Sequence, residues 1–73
     1  MLEQKIISKN LKALRKSLGD TQEEFAERCD ISLHTVGNSE RGVYIPSSET
    51  LAKISNATGV SISDLIYEKK QGI

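Results

Sequence analysis

The chain has no tryptophan, one proline, one cysteine and one histidine, and neither sign of charge is in excess, with ten Lys and Arg against ten Asp and Glu over 73 residues. Each shortage removes a class of protein. A lone cysteine, Cys29, makes no internal disulfide, and one Cys with one His is not a ligand set, so no metal and no cofactor are expected. Phe25, Tyr44 and Tyr67 are too few aromatics for a platform on which successive bases of a single strand stack. No apolar run approaches the roughly 18 residues of a membrane span, and the N-terminus lacks the apolar stretch of a signal peptide. No membrane association and a cytoplasmic location are therefore expected. A Gly-rich phosphate loop is absent, His34 has no nucleophile paired with it, and Asp64 and Glu68 form only a weak same-face pair. No catalytic residue, and hence no enzyme, is predicted.

What is present centres on residues 21–42, TQEEFAERCDISLHTVGNSERG. Thr21 and Glu24 have the spacing of a capping box, in which each side chain satisfies an orphan backbone N–H at a helix start. Phe25, Ala26 and Cys29 follow on one helical face. Asp30 stands at a reversal, where Asp tolerates the left-handed conformation better than most residues with a Cβ, and Ile31 plugs the turn. Ser32 then caps a second helix over 33–41, which Gly42 closes. Ala26 is small where two helices must cross closely, and Val36 faces back toward the first.

This stretch resembles the helix-turn-helix of the phage-repressor-like family of DNA-binding domains, the lambda and 434 repressor and Cro group. Gln22, Ala26, Ile31, Val36 and Glu40 fall where that family places its lead glutamine, close-packing alanine, turn plug, second-helix anchor and acidic residue. Glu40-Arg41-Gly42 also precedes Pro46-Ser47 at the family's interval. The resemblance covers about residues 6–67 and implies an all-α domain of five helices filling the chain, 1–73.

The remaining residues fit five helices. Ile7, Leu11, Leu14 and Leu18 recur as a single stripe ahead of Gly19, with the preceding residues 1–4 expected to fray. Ser47 caps a helix over 48–58, whose inner face is Leu51, Ala52, Ile54 and Ser55. Ser61 caps a fifth over about 62–68, carrying Ile62, Leu65 and Ile66, before a tail at 69–73. Charge is uneven. Lys5, Lys9, Lys12, Arg15 and Lys16 outnumber Glu3 and Asp20 over 1–20, whereas Glu23, Glu24, Glu27, Asp30 and Glu40 outnumber Arg28 and Arg41 over 21–42. Acids in the first turns of the second helix suit its dipole.

The resemblance implies a sequence-specific double-stranded DNA-binding regulator, a repressor acting as a homodimer, that reads the major groove with helix 33–41. Carried over position by position, the base-reading residues are Ser32, Leu33, His34, Gly37 and Asn38. Leu33 suits a thymine methyl, His34 a guanine edge, and Asn38 the N6 and N7 of adenine. Gln22, Arg41 and Ser47 are the implied phosphate contacts, and Arg15 with Glu40 an implied structural ion pair. Three positions depart from the pattern. Ser39 stands where a large apolar residue is usual, Gly37 lies inside the reading helix, and Val43-Tyr44-Ile45 replaces a more polar loop. With zero net charge, that loop supports a rival from another class, a protein-interaction or antitoxin-like module with a partner at Val43, Tyr44 and Ile45 and weak DNA binding.

Overall fold

A computed structural model describes residues 4–68 and places five α-helices along them: α1 Gln4–Ser17, α2 Gln22–Cys29, α3 Leu33–Glu40, α4 Ser48–Thr58 and α5 Ile62–Ile66. No strand occurs among the described residues. The tail expected at 69–73 and the first three residues of the expected frayed end lie outside them. Four helices begin on a hydroxyl cap that accepts a backbone N–H three residues on: Thr21 from Glu24 at 3.1 Å, Ser32 from Thr35 at 3.0 Å, Ser47 from Thr50 at 3.2 Å and Ser61 from Asp64 at 3.2 Å. Each such cap contributes about 1 kcal/mol. The Thr21 cap is reciprocal, since the Thr21 N–H donates to Glu24 Oε1 at 2.8 Å.

The α2–α3 turn reverses at Asp30, whose backbone is left-handed at φ 58°, ψ 48°. Its N–H and that of Ile31 return to the carbonyls of Glu27 and Ala26, closing the end of α2. Ile31 then packs against a core made of Ile7, Leu11, Phe25, Ala26, Cys29, Val36, Leu51, Ile54 and Leu65. Helix α1 packs on α3 and α5, and α2 on α3 and α4. Helix α3 is thus clasped from two sides.

Two sequence expectations shift at helix ends. The α1 stripe stops early: Ile7 and Leu11 are buried and Leu14 is half-buried, but Leu18 is 36% exposed beyond the last helical residue. The chain leaves α1 through a left-handed Gly19 (φ 74°), as expected, with the Gly19 and Asp20 N–H groups returning to the Lys16 and Arg15 carbonyls. The Arg15 guanidinium also donates to the Asp20 carbonyl at 2.8 Å. Helix α5 ends at Ile66 rather than near Glu68, and Tyr67 is extended. Here the Asn10 amide of α1 donates to the carbonyls of Leu65 and Tyr67, both at 3.0 Å, and of Asp64 at 3.3 Å. A side chain thereby supplies what a further helical turn would have supplied.

Ser39 is buried in α3, and its hydroxyl has no hydrogen-bond partner. Beside it runs a gap bounded by Leu11, Phe25, Val36 and Ile54, too narrow to admit a water molecule. An unsatisfied buried hydroxyl costs about 1–3 kcal/mol, and Ala is also the better helix former. Ser39→Ala should therefore raise the urea midpoint at unchanged slope, a gain of about 1 kcal/mol or more. A lower midpoint would mean that the hydroxyl is satisfied in solution.

Candidate nucleic-acid interface

The far end of α3 is fixed first. Glu40, its last residue, turns a fully buried carboxylate toward Arg15 of α1, which donates from Nε to Oε2 at 2.7 Å and from Nη2 to Oε1 at 3.1 Å. Gln22, the first residue of α2, donates its amide to the same Oε1 at 3.1 Å. The carboxylate holds the Arg15 guanidinium above its ordinary value, chiefly through that hydrogen bond. Three helices therefore meet at one acid. The lead glutamine braces the reading helix, but through Glu40 rather than through a side chain at the helix start, where Leu33 offers no polar partner. This also turns the Gln22 amide N–H inward. The first-turn backbone N–H groups of Gln22 and Glu23, which the capping box does not use, face out from α2.

A second pair buttresses the α1–α2 turn. Arg28 grips Asp20 with both arms, Nε to Oδ2 at 2.6 Å and Nη2 to Oδ1 at 3.0 Å. That fork pulls the Asp20 carboxyl below its usual range. A carboxylate with a lowered folded value contributes stability that is present above its unfolded value near ~3.9 and is lost as pH falls through the folded value. Acid titration of the folded protein should show Asp20 protonating below the exposed carboxylates. In Arg28→Met most of the lowering at Asp20 should be lost, with only the smaller pull of Arg15 remaining, and NMR titration of the carboxyl carbons checks it.

The other end of α3 is the exposed one. Leu33 is 47% exposed, and Ser32 and His34 are exposed beside it. The Ser32 hydroxyl is already engaged, capping the helix and sharing a hydrogen bond of 2.8 Å with Thr35 Oγ1. Thr35 joins the helix start in this way, a role that its spacing from Ser32 makes readable. One turn on, the Asn38 amide nitrogen meets His34 Nε2 at 2.8 Å, and the Arg41 guanidinium donates to Asn38 Oδ1. Gly37 lies under that guanidinium: a Cβ there would sit 3.8 Å from Arg41 Nη1, an ordinary contact. His34, Gly37, Asn38 and Arg41 therefore form one continuous strip, exposed at His34 and Arg41 and half-buried at Gly37 and Asn38.

The structure also separates residues that the sequence grouped. Ser47 caps α4, its hydroxyl engaged with Thr50 Oγ1 and the Thr50 N–H. The apolar loop divides, which corrects the patch expected from sequence: Ile45 packs against the core, Tyr44 is half-buried, and only Val43 stands out, at 59% exposed. Next to the buried Pro46, Ile45 is half-buried, so the loop offers less apolar surface than its sequence suggests. One residue escaped the sequence reading altogether. Lys53 of α4 reaches the turn ahead of α3, donating to the Asp30 carbonyl at 3.2 Å with the Asp30 carboxylate at 3.8 Å. No described helix is long and apolar enough to cross a membrane.

Residues 11–65 match the family described as Helix-turn-helix. The chain belongs to the helix-turn-helix family. Within this helix-turn-helix family it is similar to the HTH-type transcriptional regulator ImmR of Bacillus subtilis, with 38% identity over 60 residues, covering 82% of this chain and 47% of ImmR. It is also similar to the immunity repressor protein of Bacillus phage phi105, at 32% identity over 63 residues, covering 86% of this chain and 44% of the repressor. The chain thus spans less than half the length of either relative. Among solved structures, the SOS-response transcriptional repressor LexA from Eubacterium rectale superposes with a TM-score of 0.86 at 28% identity, over 100% of this chain and 81% of that one. The five-helix, all-α fold read from the sequence is the helix-turn-helix fold of these proteins.

Proposed function

We propose that this chain is a sequence-specific double-stranded DNA-binding transcriptional regulator, a repressor that acts in the cytoplasm as a homodimer on a two-fold-related site. The observation that carries the reading is the exposed face of α3, anchored at its far end by the buried Arg15–Glu40–Gln22 cluster. A rigid helix with a polar, outward N-terminal half is what enters a major groove. Leu33 supplies apolar contact, and Asn38, flanked by His34, supplies donor and acceptor groups at a base edge. Ser32 and Gly37 allow close approach of the helix backbone. Arg41, Ser47 and the open N–H groups at the start of α2 contact phosphates. The sign of regulation follows the ImmR and phi105 relatives, which are named as a regulator and a repressor.

Net charge of zero sets the expected character of binding. The non-specific term rests on phosphate neutralisation, and Glu23, Glu27 and Asp30 surround the shallow depression beside Leu33. Binding to random duplex should be weak and to the preferred site much stronger. Selection from a random duplex pool at low salt tests this, and half-sites should emerge about one helical turn, roughly 34 Å, apart. Asn38→Ala should then cost about 1–3 kcal/mol on the selected site and relax preference at one base pair per half-site. Failure of the folded protein to enrich any motif sinks the regulator reading. That outcome would leave the protein-interaction module, whose foothold is the exposed Val43.

A further inference from the structure

We infer that Arg41 and His34 are positioning residues for Asn38, and that the three side chains present a single preset donor–acceptor edge complementary to adenine. The inference rests on the DNA-reading proposal above and assigns specificity, not only affinity, to Arg41. The three residues are spaced four and three apart along α3, so their side chains share one face of the helix. Arg41 donates to Asn38 Oδ1, and Asn38 Nδ2 lies 2.8 Å from His34 Nε2.

The chemistry settles the orientation of each group in turn. A guanidinium has donors and no acceptor, so the Asn38 atom that faces Arg41 is the carbonyl oxygen. The amide nitrogen must then face His34 and donate, so His34 Nε2 is the acceptor and the ring proton resides on Nδ1. His34 Nε2 is thereby spent inside the protein. An amide has two N–H hydrogens and an oxygen with two lone pairs. After one of each is used, Asn38 retains one donor and one acceptor. Adenine offers N7 as an acceptor and N6 as a donor in the major groove. An unrestrained asparagine would have to lose rotamer freedom, and choose between two amide orientations, on meeting that edge. Here the neighbours fix both before contact.

Arg41 still has donors to spare for a phosphate, so its two roles must be separated. The variants Arg41→Met, which loses charge and donor, and Arg41→Gln, which loses charge but keeps an amide N–H, accomplish this in wild-type and Asn38→Ala backgrounds. Affinity is measured for the selected duplex and for one changed at the base pair whose preference Asn38→Ala abolishes. In wild type that discrimination should be roughly 5- to 140-fold. Arg41→Met should remove most of it in the wild-type background and none in the Asn38→Ala background. Arg41→Gln should retain it while lowering the salt slope by about one. Unchanged discrimination in Arg41→Met overturns the inference and leaves Arg41 as a phosphate contact alone. Equal loss in Gln and Met overturns the hydrogen-bond mechanism in favour of charge.

A readout without DNA keeps the inference distinct from the function on which it rests. In ¹⁵N spectra of the free protein at mildly alkaline pH, His34 should populate the tautomer with its proton on Nδ1, and Arg41→Met should shift that balance and the Asn38 amide signals. The opposite tautomer, or spectra indifferent to Arg41→Met, overturns the inference even if DNA binding stands. Failure to select any duplex site, with this tautomer observed, overturns the DNA-reading proposal and with it the adenine assignment.

Discussion

Replacing Glu40 with alanine should cost about 3–5 kcal/mol, because it strands a guanidinium and an amide that are packed between three helices. The whole domain is expected to be worth only roughly 4–11 kcal/mol at the usual stability per residue. The variant should therefore lose roughly a third or more of the domain's stability, and would be largely unfolded only if the wild type lies near the low end of that range. The carboxylate side chain is 2% exposed and Arg15 13%, so water cannot replace what is lost. Arg15→Ala should fall in the same range, since it leaves the acid with Gln22 as its remaining partner. The diagnostic result is the combination. Arg15→Met with Glu40→Leu together should be less destabilised than Glu40→Ala alone, because replacing a buried pair by apolar groups is often near neutral while breaking it is not. A double-mutant cycle in urea melts measures this, with coupling well above ~1 kcal/mol expected. Additive losses would exclude the pair as a structural unit.

Leu11→Ala should cost about 4–5 kcal/mol, at the upper end of the 2–5 kcal/mol typical of such truncations. Leu11 is almost fully buried and already borders the gap beside Ser39. Deleting its branch would join a new void to an existing one, with α1, α2 and α4 holding the walls apart, so little collapse can offset the loss. Leu18→Ala, in the same sequence stripe, should cost less than about 1 kcal/mol, because its side chain sits past the helix end in partial contact with water. Urea midpoints of the two variants, compared with wild type, give the contrast directly. Equal losses would place Leu18 in the core.

That contrast also marks where sequence reasoning reached and where it stopped. Periodicity identified Ile7, Leu11 and Leu14 as a packing face, and capping chemistry located the starts of α2 to α5 on Thr21, Ser32, Ser47 and Ser61. These are local signals, carried by residues three or four apart. Gly19 correctly marked the end of α1, but Leu18 fits the same period and still lies past the last helical residue, because periodicity alone does not say which turn is the last to face the core. Asn10 had no part in the sequence reading, because its partners are supplied by α5, more than fifty residues further along the chain. At the reading face, the residue types at Leu33, His34 and Asn38 were legible. Their mutual hydrogen bonds were not, because the same three residues would serve equally well as independent contacts. The Val43-Tyr44-Ile45 loop could be an exposed patch or tuck inward as far as the sequence goes, because hydrophobicity gives no direction outside regular structure; Ile45 packs against the core and Val43 stays out.

Asn10 has a consequence for the order of events in a living cell. Its partner carbonyls lie 54–57 residues further along the chain, and at 5–20 residues per second they are made roughly 3–11 s after it. Throughout that interval α1 has been synthesised, but one of the two helices on which it packs has not. A five-residue α5 is too short to persist unaided, so the clasp closes only when both ends are present together. The nascent α1, α2 and α3 must therefore wait with part of the α1 apolar face uncovered until α5 has been made and can cover it.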